Sequence, residues 1–140
     1  MQLGELLTSL FVNLQALIKR EVNLGRASFP KIIALLVIPP DGFEMSALAR
    51  KMGVDNSTAT RLVIGMEKAG WVNRESSSYD KRVNQVFLTK KGYSLQSNLE
   101  EQFELIGKVV EGSLNPADKL GISNTISSLN WVLLKLIADK

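Results

Sequence analysis

Residues 45–92 read MSALARKMGVDNSTATRLVIGMEKAGWVNRESSSYDKRVNQVFLTKKG. Ser46 is predicted to cap a short helix, and Gly53 to supply a tight turn after it. Either Asp55 or Asn56 then caps a second, longer helix, which a glycine ends. The stretch therefore predicts two helices joined by a turn, with the second helix exposing hydroxyl and arginine side chains.

The pattern after the second helix changes to two strand-like stretches, 71–75 and 83–88. The loop between them is polar and ends in Asp80, Lys81 and Arg82. A turn-linked helix pair followed by a basic-tipped hairpin is the order of parts that places one helix in a DNA groove and a basic loop beside it.

Basic residues are concentrated in this stretch. It holds nine Lys or Arg and four Asp or Glu, a net charge of +5, whereas the whole chain carries only +3. A basic central module between more acidic ends indicates a polyanionic partner. An ordinary solvated surface can have the same charge. The stronger indication of a nucleic-acid partner is therefore the order of helices and strands described above.

The composition bounds the class of protein. At 140 residues and 45% hydrophobic content, we expect one domain that can bury a core. No apolar run approaches the roughly 18 residues that span a bilayer. The N-terminus shows no signal-peptide pattern. The sequence therefore predicts a cytoplasmic protein without a membrane partner.

The chain contains neither cysteine nor histidine. This excludes disulfides, thiol redox sensing and the common zinc sites, and it removes the usual general base at neutral pH. The carboxylates of Glu100, Glu101 and Glu104 could form a metal or acid–base site, but their spacing fits the solvated face of a helix better. We expect no catalysis, no metal and no cofactor.

Apolar residues recur at helical spacing on both sides of the central module. They predict helices over about 2–22 and 89–112, one that Ser28 can cap, and a last one that Asn115 can cap. The terminal helices are more apolar than a small module can cover, and residues 131–134 are all apolar. A second copy of the chain, related by a two-fold axis, is the simplest partner for these stripes. The alternative is that the helices only wrap their own core.

The second helix of the central module has two faces at 100° per residue. An apolar face centred on Ala59 is predicted to pack in the core: Leu62, Val63, Met66 and Ala69. The opposite face carries Ser57, Arg61 and Lys68, with Thr60 on its flank, and these hydroxyls and cations suit phosphates or a guanine edge. A salt bridge from Arg61 to Asp55 or Glu67 is the alternative. Ile64 on this face either touches a thymine methyl or packs on a neighbouring element.

The hairpin tip extends the same basic surface. Lys81 and Arg82 can enter a minor groove, whose negative potential is deepest where the groove is narrow. Asp80 beside them is expected to fix the shape of the loop by pairing with Arg82 or with Arg74 at the hairpin base. The predicted DNA contacts therefore include both the helix and the hairpin.

In these residues the chain resembles the MarR (multiple antibiotic resistance regulator) family of bacterial and archaeal winged-helix transcription regulators. The likeness is carried by Leu48-Ala49, Val54-Asp55, Ser57-Thr58, Thr60-Arg61-Leu62-Val63, Glu67-Lys68-Ala69-Gly70-Trp71-Val72, Arg74, Asp80-x-Arg82 and Val86-x-Leu88-Thr89-x-x-Gly92. The flanking helices also fall where the family has its dimerisation helices, so the resemblance covers nearly the whole chain.

The resemblance implies a mainly α fold with a small β-hairpin wing, a winged helix-turn-helix with flanking dimerisation helices. In this single chain, about 28–92 would form the DNA-binding module, and 1–25 and 93–140 the dimerisation helices. The implied function is that of a homodimeric regulator on a palindromic operator in double-stranded DNA, most often a repressor. A small aromatic or anionic ligand, bound between the two parts, would release it.

The resemblance assigns DNA contacts to Ser57, Thr58, Thr60, Arg61, Asp80 and Arg82. The full expected DNA surface is Ser46, Ser57, Thr58, Thr60, Arg61, Lys68, Arg74, Asp80, Lys81 and Arg82. The expected ligand site is lined by apolar residues such as Leu17, Ile33 and Leu36.

The sequence departs from the family pattern in two ways. Ile64-Gly65 stands where the family usually has an acidic residue followed by a basic one. This keeps open a winged-helix module that binds protein or RNA without operator recognition. The missing cysteine rules out the family's cysteine-oxidation sensors, and the missing histidine and cysteine argue against its zinc sensors. The same absences make the other alternative, a small carboxylate-based enzyme, improbable.

Overall fold

A computed structural model describes residues 1–76 and 84–139 of the chain. In these ranges the elements follow in the order α1 (Leu3–Glu21), α2 (Phe29–Val37), β1 (Phe43–Glu44), α3 (Met45–Met52), α4 (Asn56–Lys68), β2 (Val72–Ser76), β3 (Asn84–Leu88), α5 (Lys90–Ser113) and α6 (Lys119–Ala138). The predicted fold class, mainly α with a small β wing, is confirmed. The chain divides into two compact units, Met1–Ile106 and Gly107–Lys140.

The sheet of the described residues has three antiparallel strands in the order β1-β3-β2. Residue Val72 of β2 lies opposite Leu88, and Phe43 of β1 lies opposite Val86. The sequence predicts only the β2–β3 hairpin. Strand β1 is missed because two residues are too few to show the alternation that marks a strand.

The start of α3 corrects a second expectation. Strand β1 runs directly into the helix, so Glu44 is the N-cap residue and Ser46 lies in the first turn. The prediction that Ser46 caps this helix is wrong, because pairing of β1 with β3 sets where extended backbone ends and helix begins. At the other end, Gly53 takes the left-handed conformation, with φ 70° and ψ 33°, and turns the chain toward α4 as predicted.

The core of the first unit brings together side chains from α2, α3, α4, α5 and the sheet. The largest fully buried ones are Leu35, Ile38, Leu48, Met66, Leu99, Val63, Val72 and Val86. Helix α4 contributes Ala59, Val63 and Met66, while Leu62 is half-buried, which confirms the predicted apolar face. Burial of several such side chains, at about 1.5–3 kcal/mol each, fixes the rotation of α4 about its own axis.

The junction between α4 and α5 is closed by Thr89. Its hydroxyl donates to the carbonyl oxygen of Gly70 at 2.6 Å and accepts from the backbone N–H of Gly92 at 3.0 Å. The backbone N–H of Thr89 donates to the Trp71 carbonyl at 2.9 Å. These contacts explain the Leu-Thr-x-x-Gly pattern, since Thr89 closes one helix end and Gly92 lets the next helix approach Trp71.

Two glutamines fasten α5 to the segments before it. The buried Gln96 donates from Nε2 to the carbonyl oxygens of Leu35 and Ile38, both at 2.7 Å, at the C-terminal end of α2. Gln102 exchanges two hydrogen bonds of 2.8 Å with the backbone of Asn23, which follows α1. Because a buried helix end must find partners for its carbonyl groups, Gln96 is part of the fold and not a free binding group.

The start of α6 differs from the prediction. Asn115 accepts from the Ala117 backbone N–H through its side chain at 3.1 Å and from that of Asp118 through its carbonyl at 2.9 Å. These bonds form a turn, and the helix itself begins at Lys119. The Asn-Pro start signal therefore marks the turn before the helix. No helix in the described part of the chain has the length and apolar character needed to cross a membrane.

Candidate nucleic-acid interface

The exposed face of α4 carries side chains that the sequence assigns to DNA. Ser57, Arg61 and Lys68 are exposed, whereas Thr58 and Thr60 are half-buried on its flanks. Since the opposite face is packed in the core, the exposed side chains leave the protein in a fixed direction. A helix held along one side and polar along the other has the shape and chemistry to enter a major groove.

The N-terminus of α4 is capped by Asp55. Its Oδ1 accepts a hydrogen bond from the Thr58 backbone N–H at 2.7 Å, which settles the choice between Asp55 and Asn56 as the cap. Hydrogen bonding to Thr58 lowers the pKa of Asp55 below its ordinary value, so the cap is charged and formed at neutral pH. The helix dipole and the first-turn amides lie beside Ser57, where they suit a phosphate oxygen.

Arg61 is exposed on the outer face of α4. Among the described residues it forms no salt bridge, so the alternative pairing with Asp55 or Glu67 is not seen. Its Nη2 lies 3.5 Å from Oγ1 of Thr58, one turn back. Thr60 differs, because its hydroxyl donates to the Asn56 carbonyl at 2.8 Å and only its lone pairs remain for other partners.

Arg74 is held by a carboxylate that the sequence does not predict as its partner. Its Nη2 lies 3.1 Å from Oε1 of Glu67, and its Nε lies 3.3 Å from Oε2. Hydrogen bonding to Arg74 lowers the pKa of Glu67, so the pair is ionised at neutral pH. This two-point contact ties β2 to α4, and the role of Arg74 in DNA contact stays a prediction.

The remaining predicted DNA contacts come from α3 and from the hairpin tip. Ser46 is exposed in the first turn of α3. The hairpin below the tip is regular, with Ser76 opposite Asn84 as the last described pair. Asp80, Lys81 and Arg82 lie outside the described residues, so the structure does not test them.

Gly65 has an unexpected neighbour. A Cβ atom built on Gly65 would lie 3.0 Å from both Cε and Nζ of Lys31, a residue of α2. Sequence reasoning missed this lysine, because the contact joins residues on two helices and follows no local spacing. Ile64, the other half of the unusual pair, is half-buried, which leaves both of its predicted roles open.

The predicted ligand-lining residues Leu17, Ile33 and Leu36 are each half-buried. Their role in lining a ligand site stays a prediction. Leu36 lines a crevice of about 410 Å³ beside Pro39 and Tyr93. A second crevice, of about 490 Å³, lies between the end of α1 and the start of α2, where the lining includes Ile18, Lys19, Val22, Phe29, Pro30 and Ile32.

The central module matches a known family. The model of the MarR family aligns with residues 41–83, which include β1, α3, the turn, α4 and β2. An uncharacterized HTH-type transcriptional regulator of Bacillus subtilis (strain 168), YfiV, is 31% identical to this chain over 107 residues. That alignment covers 76% of this chain and 67% of YfiV.

The fold is shared with solved structures over nearly the full chain. The crystal structure of MarR superposes with a TM-score of 0.82 and covers 100% of this chain and 96% of MarR, at 18% sequence identity. Bordetella bronchiseptica BpsR, solved to explain regulation of its DNA binding by 6-hydroxynicotinic acid, superposes with a TM-score of 0.73. The superposition covers 92% of this chain and 93% of BpsR at 18% sequence identity. Because the identity is this low for both structures, the similarity concerns the fold alone.

Proposed function

This chain belongs to the MarR family of DNA-binding transcription regulators, and from that premise we propose that it acts as a homodimer on a palindromic operator and represses transcription. The observation that carries the proposal is the exposed face of α4, where Ser57, Arg61 and Lys68 project from a helix whose other face is buried. DNA lies in the cytoplasm of bacteria and archaea, so the protein is proposed to act there, and as a regulator and not as an enzyme.

The proposed DNA surface keeps the residues expected from the sequence. Arg61 is assigned a guanine edge or a phosphate, while Ser57 and the α4 N-terminus are assigned a phosphate. Ser46, Thr58, Lys68 and Arg74 are proposed as surrounding contacts to the DNA phosphates, and Asp80, Lys81 and Arg82 as the wing. Thr60 is proposed to accept a hydrogen bond from a base amino group, because its own proton is donated to Asn56. Two copies of α4 would read half-sites about 34 Å apart, one turn of the duplex.

The test is a gel shift with duplexes selected from a random pool, repeated over a salt series. Wild-type protein is expected to bind with a steep salt dependence. Arg61→Ala is expected to cost about 1–3 kcal/mol of binding free energy and to relax preference at one base position. Arg82→Ala is expected to lower affinity for all duplexes and to flatten the salt slope by about one unit, as one lost phosphate contact would.

The matched control is Arg20→Ala, because Arg20 is an exposed arginine of α1 that is paired with the neighbouring Glu21. It is expected to change neither affinity nor salt slope. If no selected duplex binds the wild type, the winged helix serves protein or RNA instead. If Arg82→Ala binds normally but melts far below the wild type, Arg82 is structural.

We further propose that a small aromatic anion regulates binding. Two observations support this: 6-hydroxynicotinic acid regulates DNA binding by BpsR, and the crevice between α1 and α2 combines apolar walls with a lysine. Nζ of Lys19 lies 5.0 Å from the centre of the Phe29 ring, where a carboxylate and an aromatic ring could both find partners. With no cysteine in the chain, the ligand would bind reversibly.

Calorimetry with a panel of aromatic carboxylates, in the presence and absence of operator, tests this regulation. A ligand that releases DNA must bind more weakly to the DNA complex, because coupling between two sites is reciprocal. Lys19→Met is expected to weaken carboxylate binding and to leave operator affinity without ligand unchanged. Equal affinity of such a ligand for the free and DNA-bound protein would contradict the coupling.

A further inference from the structure

The exposed face of α4 has a gap in its row of cations. Positions 61, 65 and 68 follow one another at steps of four and three residues, so they form a single stripe along the helix. Arg61 and Lys68 are exposed at the ends of this stripe. The middle position is Gly65, which carries no side chain of its own.

Lys31 occupies this gap. It lies on α2, which packs against α4, and its Cε and Nζ both come within 3.0 Å of the place where a Gly65 Cβ would be. Any larger residue at position 65 would therefore compete with the end of this lysine for the same space. Among the described residues, Lys31 forms no salt bridge that would neutralise its ammonium group.

We propose that Lys31 of α2 is a DNA-phosphate contact, seated over Gly65 as the middle cation between Arg61 and Lys68. The inference rests on the proposed function, since it presumes that this face of α4 meets DNA. A lysine ammonium is a compact charge on a flexible stem, which suits a phosphate oxygen better than the edge of one base. Lys31 therefore adds affinity for every sequence and does not select among them.

The purely structural alternative is that the aliphatic stem of Lys31 only packs on α4. Lys31→Met separates the two, because methionine keeps an unbranched apolar stem and removes the charge. The measurement is operator affinity over a salt series, together with the melting temperature. We expect affinity to fall about fivefold for operator and random duplex alike, the salt slope to flatten by about one unit, and the melting temperature to stay unchanged.

Two further variants complete the design. Lys31→Arg keeps a cation on a stem of similar length and is expected to bind nearly as wild type. Lys108→Met removes an exposed lysine of α5 that is not part of the proposed DNA surface, and it is expected to leave both affinity and slope unchanged. Gly65→Arg in the Lys31→Met background returns a cation to the stripe and is expected to recover most of the lost affinity.

The outcomes separate this inference from the proposed function. If the wild type binds no duplex, the proposed function is wrong, and the inference about Lys31 is wrong with it. If the wild type binds with a steep salt slope and Lys31→Met has the same affinity and slope, Lys31 is not a phosphate contact. A fall in melting temperature without a change of slope would assign Lys31 to packing alone and would also overturn the inference.

Discussion

Replacing Gly92 with alanine is expected to lower the free energy of unfolding by about 3 kcal/mol or more, at the upper end of the cost of overpacking. The added Cβ would lie 1.9 Å from the carbonyl oxygen of Trp71, far inside van der Waals contact. Two backbone hydrogen bonds hold the Trp71 peptide in place. Its carbonyl oxygen accepts from the Thr89 N–H at 2.9 Å, and its N–H donates to the Met66 carbonyl at 2.9 Å. The melting temperature should fall by roughly 10 °C.

Gly107→Ala is the matched control, since Gly107 lies on the same helix and an added Cβ there meets no atom within 4 Å. Alanine is the better helix former by about 1 kcal/mol, so this variant should be as stable as the wild type or slightly more stable. Both variants are compared by thermal melts at one protein concentration, because association shifts the melting temperature. Equal losses in the two variants would show that the contact with Trp71 is not what Gly92 serves.

Introducing aspartate at both Leu10 and Leu133 is expected to yield monomers that bind operator about 100-fold more weakly or worse, as expected when one of two linked contacts is lost. Among the described residues, no side chain of α1 or α6 is fully buried within the single chain. Leu10 is 45% exposed and Leu133 is 41% exposed there. A charge placed on a buried apolar interface would oppose association strongly.

Light scattering at micromolar concentration measures whether each variant is a dimer or a monomer. The gel shift measures its affinity for operator DNA. Thr8→Asp is the control, because Thr8 lies two residues before Leu10 and therefore about 160° around the helix from it. It should remain dimeric and bind DNA as the wild type does. A wild-type chain that scatters as a monomer would refute the proposed dimer, whatever the variants do.

The periodic part of the fold could be predicted from the sequence, because period and caps are local. The rotation of α4, with Ala59, Val63 and Met66 inward and Arg61 outward, follows from a 100° step. The turn at Gly53 follows from its backbone freedom. These features predict which face of α4 is exposed, and the proposed interface lies on that face.

What could not be predicted depends on contacts between distant segments. Strand β1 exists because β3 is there to pair with it. Arg74 finds Glu67 across a helix–strand junction, a partner that the sequence does not predict. Lys31 covers Gly65 only because α2 crosses α4 at that point. No window of sequence contains both partners of such a contact in a pattern that marks them.

The hydroxyl of Thr89 closes two helix ends at once, through its bonds to Gly70 after α4 and to Gly92 in α5. Lys91 adds a further bond from Nζ to the Ala69 carbonyl at 3.2 Å. Fraying of the first turn of α5 would therefore remove the partners of the Ala69 and Gly70 carbonyls, which follow the last turn of α4. We therefore expect the end of α4 and the first turn of α5 to open together, so that their amides share one opening equilibrium in hydrogen exchange.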